Sequence, residues 1–359
     1  LTPGDLFSTG TEAGALIAAV ARKEIGRVEK GGWYERFAYL LSDEAYFDMQ
    51  ERAHVPRGVF NALFRHIPCY SIHASDKGKS RRVEASICYD ENRQAMGAPA
   101  LAGVTYSPGD DVLVTRDGDV FGNMWRDARP SVSRSLVADI SPWLDHCAAL
   151  IPIEAEREHI FDVMAHKYQH PDIKVNHAVL HGGDEGCGKD TLWAPLLWAV
   201  CGPSLRNRGI LDNDTLGSQW GYQLEAEIII LNELKEPDAR ERRALANKLK
   251  PIIAAPPEYL PINRKGLHPY MALNRVLVVA FSNERVAISL PSDDRRWFVA
   301  WAEAGRLPES EAVALWNWYH HRGGLQAWRR GWLRVTYPLL TRRPRADDRG
   351  QGPFWSRLA

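Results

Sequence analysis

Hydrophobic and polar positions fall into two rhythms along this chain. Up to about residue 126 the apolar runs are short and broken. AGALIAAVARKEIG has helical spacing, and a Gly-Gly pair separates it from the aromatic-rich stretch WYERFAYLLSDEAYFDM. Around 101–126, LAGVTYSPGDDVLVTRDGDVFGNMW alternates apolar and polar residues and is punctuated by Pro-Gly-Asp and Asp-Gly-Asp. That pattern predicts a hairpin or small meander. DISPWLDHCAALIP and EAEREHIFDVMAHKYQHP then predict two helices, the second ended by Pro171.

The rhythm changes at Lys174. VNHAVLHG, EAEIIILNEL, NRVLVVAFSNE and RRWFVAWA are short apolar runs, separated by stretches of helical character such as TLWAPLLWAVCG. Such runs are the signature of strands buried on both faces of a parallel sheet. Residues 172–304 therefore read as one α/β domain. From residue 320 the tail carries nine Arg against two Asp and is also rich in Trp.

Composition narrows the class. The 359 residues suit two or three domains, and 45% hydrophobic with 25% charged residues is ordinary for a folded chain. Expected boundaries are 1–150 for an α+β accessory region, 151–310 for the core and 311–359 for a basic segment. Lys+Arg and Asp+Glu are both 45, so net charge selects no partner, although a balanced total can hide a basic face. Five cysteines without a CxxC argue against a disulfide framework. No apolar run reaches the length of a membrane span, and the N-terminus lacks a signal-peptide pattern, so a cytoplasmic protein is expected. Starting at Leu1 rather than Met, the chain is expected to be a piece of a longer protein.

The chemistry concentrates in GDEGCGKD, 183–190, between a strand and a helix. In G-x-x-x-x-G-K, Gly183 and Gly188 let backbone N–H groups curl around phosphate oxygens, with Gly186 adding freedom mid-loop. Lys189 supplies charge to the β- and γ-phosphates, and the following helix aims its N-terminus at them. Asp184, Glu185, Cys187, Asp190 and Thr191 complete the expected cradle. Asp190 stands where Ser or Thr is usual, and its carboxylate is a hard oxygen ligand suited to Mg²⁺. The second run ends in Asn232 and Glu233. Glu233 can orient or deprotonate the attacking water and, with Asp190, hold Mg²⁺; Asn232 stands where an Asp often assists. The third run ends in Asn283, whose amide can reach the γ-phosphate or the water from a strand lying between the other two. DDRRW, 293–297, places Arg295 and Arg296 before the fourth run.

This ordered set resembles superfamily 3 helicases, most closely the primase-associated helicase domains of phages and plasmids. The matching elements are GDEGCGKDT, IIILNEL, LKPIIAAPPEYLPINRKG, VLVVAFSNE and DDRRW. Asp after the loop lysine occurs in that phage group, and YSPGDD, DGDVFGNMW and DISPWLDH also look like it. The resemblance covers roughly 100–304. It implies an AAA+-like, ATP- and Mg²⁺-dependent core that assembles as a homo-oligomeric ring, usually a hexamer, on single-stranded or forked DNA, with a primase module or partner nearby. It also implies that Arg296, or Arg295, completes a neighbour's site. The family's lysine after the catalytic carboxylate matches Lys250, or Lys248 if the register shifts. Its DNA hairpin matches INRKGLHPY, with Arg264, Lys265 and His268 at a tip turned by Gly266.

Other groupings carry less. His66, Cys69, His73 and Cys88 match no standard zinc spacing. Asp117 and Asp119 suit a hairpin turn better than a polymerase acid pair. Cys187 reads best as a small residue tolerated in the loop, whose thiolate the helix N-terminus would stabilise enough to make it an alkylation target. Arg329, Arg330, Trp332, Arg342, Arg343, Arg345 and Trp355 suit a strand-binding or partner-docking arm, or equally a solvated tail. The competing functions are an ATP-regulated DNA-binding or loader module and, more distantly, a small-molecule kinase.

Overall fold

The computed structural model describes residues 35–71, 81–133, 139–212, 221–231, 239–284 and 296–332. The expected N-terminal helix AGALIAAVARKEIG lies outside them, as do His73, Asn232, Glu233, Arg295 and the tail beyond Trp332. The chain divides into two compact units, one comprising 1–105 with 110–126 and the other 106–109 with 127–359.

In the first unit, β1 (Phe37–Leu40), β2 (Ala45–Asp48), β3 (Ala53–Val55) and β6 (Ala100–Leu101) form a sheet in the order β3–β2–β1–β6. The helices α1 (Arg57–Leu63) and α2 (Ala85–Met96) belong to the same unit, as does the short pair β4 (Cys69–Tyr70) and β5 (Arg82–Val83). The aromatic stretch becomes this unit's core: the Tyr46 and Phe60 rings stack at 3.9 Å, and Tyr89 donates its hydroxyl proton to the Phe37 carbonyl at 2.6 Å. Cys69 and Cys88 are both buried here. The expected meander is present as β7 (Gly103–Thr105), β8 (Leu113–Arg116) and β9 (Asp119–Asn123). Arg116 pairs with Asp119 across a two-residue turn, with positive φ at Asp117 and Gly118, so these acids serve a hairpin.

The second unit is the α/β P-loop core. Helices α3 (Ser141–Leu150) and α4 (Glu154–Gln169) precede β10 (Ala178–Gly182), and α5 (Lys189–Cys201) follows it. Then come β11 (Arg208–Leu211), β12 (Ile228–Leu231), α6 (Ala239–Ile253), and an antiparallel hairpin of β13 (Tyr259–Ile262) and β14 (Tyr270–Leu273). The remaining elements are β15 (Leu277–Ser282), β16 (Trp297–Trp301), α7 (Glu309–His321) and α8 (Gly324–Trp332). The sheet order is β11–β12–β15–β10–β16, with every pairing parallel. The four apolar runs are four of these strands. The fifth, β11, has the sequence RGIL and sits at an edge, where two apolar residues suffice.

Alternation along the strands feeds two apolar layers. Val179, Ile228, Ile230, Leu277, Val279, Phe281, Phe298 and Ala300 face a layer that includes residues of α3, α4, α5, α7 and α8. Ala178, Leu180, Ile229, Leu231, Val278 and Ala280 face Leu245, Leu249, Ile252 and Leu260 of α6 and β13. Trp328 and Trp332 are buried in the first layer, Arg329 lies over the Tyr168 ring, and Arg330 donates to the Ser133 carbonyl. The start of the Arg/Trp tail is therefore packed core, not a free arm, because its indoles have a hydrophobic surface to cover.

The N-terminal edge of the sheet is polar and internally satisfied. Glu227, fully buried, receives two hydrogen bonds from Arg129 at 3.2 and 2.8 Å and one from Asn207. Burial pulls Lys167, 3.9 Å from the same carboxylate, down to about 8 against that attraction. Lys174 donates to the Ile252 and Val276 carbonyls and to Asn274 Oδ1, tying the ends of α6 and β14 to the start of β15.

Candidate nucleotide site

At the opposite, C-terminal edge, β10 runs straight into the glycine-rich loop. Neighbouring strand ends fix its first turn. Gly183 N–H donates to the Ser282 carbonyl at the end of β15, and Ala302 N–H, past the end of β16, donates to the Gly182 carbonyl. A Cβ at Gly182 would sit 2.1 Å from the Trp301 ring, so a side chain there is excluded. Gly188 ends the loop at φ +95°, in the left-handed region, and α5 starts at once with no side-chain cap. Uncapped first-turn N–H groups at the end of such a loop form an anion cradle.

Lys189 is buried, and its ammonium sits on three acceptors: Gly183 O at 2.8 Å, Asp184 O at 2.9 Å and Asn283 Oδ1 at 2.8 Å. Two sequence-predicted groups, one at the head of α5 and one just past β15, thus meet directly. Ser282 holds the Asn283 turn, its hydroxyl donating to the Glu284 carbonyl and accepting from the Glu284 N–H. Asp184, Glu185, Gly186 and Asp190 are exposed, whereas Cys187 is buried. Burial pushes the Cys187 thiol above its usual range, outweighing Lys189 and the backbone N–H groups, which fits a small packed residue rather than an alkylation target.

The first turn of α5 is pinned from both sides. Trp143 of α3 donates its indole N–H to the Leu192 carbonyl at 2.9 Å, and Tyr319 of α7 donates to the Thr191 carbonyl at 2.8 Å. His146 of α3 lies beneath the loop with Nε2 3.0 Å from the Gly188 carbonyl. Burial lowers its pKa, so the neutral ring with the proton on Nε2 is the form that donates there. On β10, His181 accepts at Nδ1 from Trp193 of α5, and burial helped by Lys189 holds its pKa down to about 3.

Sequence reasoning missed His146 and the segment Ala302–Leu307. Leu307 N–H donates to the Gly186 carbonyl at 2.9 Å. These residues lie some 40 and 120 positions from the loop and carry no motif; their one signal is that helix α3 and strand β16 flank the core in sequence.

The remaining candidates are separated from this cluster. Asn232 and Glu233, next after Leu231, lie outside the described residues, as does Arg295. Arg296 stands at the start of β16, where its carbonyl accepts from Ala178 N–H at the start of β10. Five paired residues of β10 and β16 lie between it and this chain's own loop, six steps or about 20 Å at ~3.3 Å per residue. Arg264, Lys265 and His268 lie in the β13–β14 turn, where Gly266 has φ +82°. Arg264 is paired with Glu225 at 3.1 Å, which holds one of the three tip residues back. Lys250 is in α6 and donates to Asn247. Among the described residues no group of three or more His, Cys, Asp or Glu is placed to hold a metal ion, and no helix is long and apolar enough to cross a membrane.

A family of unknown function, DUF5906, matches residues 180–296, which span the loop, both carboxylate-bearing and amide-bearing strand ends, and the hairpin. No curated protein sequence matches the chain. The apo C-terminal region of NrS-1 is similar in structure, with a TM-score of 0.63 at 16% identity, over 87% of this chain and 70% of that one. A second apo form of the same region gives 0.61 at the same identity and coverage. At that identity the likeness is one of fold. The JCV helicase, at a TM-score of 0.33 and 14% identity over 57% of each chain, bears on neither fold nor function.

Proposed function

We propose that this chain is an ATP-hydrolysing motor of the replicative helicase type, coupling turnover to movement on DNA. The observation that carries the reading is the Lys189–Asn283 contact: a phosphate-loop lysine held on a strand-end amide, at the edge of a parallel sheet whose loop strand lies between two others. In this reading the triphosphate enters the cradle of residues 183–191. The Lys189 ammonium exchanges its carbonyl acceptors for phosphate oxygens, and Asn283 orients the γ-phosphate or the lytic water. Glu233 takes the water's proton. The donor set suits Mg²⁺, with the exposed Asp190 carboxylate at the head of α5 and Glu233 as its protein ligands.

The two sheet edges suit a division of labour. Arg296 lies too far from its own loop to serve it, which favours a finger offered to a neighbouring subunit in a homo-oligomeric ring. The β13–β14 hairpin, with Lys265 and His268 at its turn and Lys250 nearby in sequence, suits phosphate contact on single-stranded or forked DNA without base readout. We further propose that it acts in the cytoplasm with a primase module or partner, the accessory unit ending near residue 126 and α7 and α8 belonging to the ATPase core rather than to a separate basic segment.

The test is ATPase rate with and without single-stranded DNA, measured alongside native mass. Strong stimulation in a ring-sized oligomer supports a translocating motor. ATP binding with no stimulation by DNA supports instead an ATP-regulated binding or loader module.

A further inference from the structure

The segment after β16 runs alongside the phosphate loop. Ala302 packs where a Cβ on Gly183 would lie, 2.8 Å from it. Leu307 follows the loop to its end, donating its N–H to the Gly186 carbonyl and placing Cδ2 3.3 Å from where a Cβ on Gly188 would stand. Between them Arg306 lies along Gly186: a Cβ built there would meet Arg306 Cγ at 3.3 Å and Nε at 3.5 Å. The stem of an exposed arginine is thus seated on the middle of the loop. Within this site Lys189 is at the other end, on the carbonyls of Gly183 and Asp184 and on Asn283.

We propose that Arg306 is a second phosphate-binding cation, supplied by the same subunit, that closes over the α- and β-phosphates of the nucleotide. This rests on the nucleotide reading given above. Chain direction assigns the two cations to different phosphates. Lys189 Nζ marks the γ end, beside Asn283, while Gly186 to Gly188 lead into α5, where the loop hands over to the helix N-terminus. A guanidinium over Gly186 therefore faces the part of the phosphate chain that ATP and ADP share. The Leu307 N–H bond fixes the main chain at the root of Arg306, and the stem rests against Gly186, so less side-chain freedom is lost when the fork engages phosphate oxygens. Arg296 differs on each point, since it belongs to the far edge of the sheet and would act on the γ-phosphate of another subunit.

Contacts to the shared phosphates weaken both nucleotides alike, which the experiment can read. Calorimetric titration of the full chain with ADP and with a non-hydrolysable ATP analogue should show both dissociation constants rising together in Arg306→Ala. The expected rise is about tenfold to a hundredfold, the scale of a charge-assisted hydrogen bond. Arg306→Lys should recover part of it and Arg306→Gln little. Because Arg306 is exposed, the thermal unfolding of each variant without nucleotide should match the parent, and the nucleotide-induced rise in Tm should shrink. If Arg306→Ala binds both ligands as tightly as the parent while Lys189→Ala binds neither, the Arg306 assignment is overturned and the nucleotide site stands. Loss of analogue binding with unchanged ADP binding would move Arg306 to the γ-phosphate and overturn it as well. A parent chain that binds neither ligand would remove the nucleotide reading itself.

Discussion

Gly188→Ala tests the loop's packing with a single methyl group. Two costs arise at that position. At φ +95° the backbone is in a region where an L-residue loses about 1–2 kcal/mol. The added Cβ would also stand 2.7 Å from His146 Cε1, 3.1 Å from Nε2 and 3.3 Å from Leu307 Cδ2, crowding that typically costs about 1–3 kcal/mol. Together they predict a loss of about 2–5 kcal/mol. At about 2–4 °C per kcal/mol for domains of this size, Tm falls by roughly 4–20 °C. Thermal unfolding followed by near-UV circular dichroism reads it directly. A double-mutant cycle separates the terms: in a His146→Ala background the two closest contacts disappear while the strain and the Leu307 contact remain, leaving a coupling of about 1–3 kcal/mol. Nucleotide affinity should fall in parallel, because the methyl group displaces either the His146 ring or the loop. An unchanged Tm would refute the backbone argument, and an equal loss in both backgrounds would refute the contact with His146.

Lys189→Ala should abolish binding of a labelled ATP analogue, whereas Glu233→Gln should bind it and lose turnover, since the amide is isosteric but takes no proton; retained hydrolysis in Glu233→Gln would place the base elsewhere. Lys265→Ala combined with His268→Ala should weaken single-stranded DNA binding and flatten its dependence on log[salt] by about one contact per cation lost, and an unaltered slope would move the interface off the hairpin. Acid should destabilise the fold before the carboxylates titrate. Burial holds His166 to about 4 and His181 to about 3, so the unfolded chain takes up these protons near pH 6.5 and the folded chain does not. Stability is therefore full above about 6.5 and falls as pH drops toward those values, by about 3 kcal/mol from His166 by pH 4. Urea midpoints that stay level between pH 6.5 and 5 would contradict this.

What could be read without coordinates was whatever is local in the chain. A strand buried on both faces must be apolar along its length, so β10, β12, β15 and β16 announced themselves, and a loop that curls around phosphate must be built of glycine and lysine in a fixed spacing. Asp-Gly at 117–118 declared its turn for the same reason, since few residues take a positive φ. Strand β11 stayed hidden because an edge strand beside one neighbour needs only two apolar side chains, and RGIL has no more. The helix α8 is not legible in the sequence because arginines and tryptophans have no distinctive rhythm until a core is present for the indoles to cover.

The strand order was set only by the folded molecule, and function depends on it. The sequence reading could only expect that β15 lies between β10 and β12; the parallel pairing realises it and brings Asn283 to 2.8 Å from Lys189 across 94 positions. The same holds for His146 beneath Gly188 and for Arg306 over Gly186. Their neighbours come from packing α3 and β16 against the core, and a contact across so many residues leaves no periodicity to read. Sheet polarity likewise placed Arg296 at one edge and the loop at the other, because parallel strands send every N-terminus to the same side.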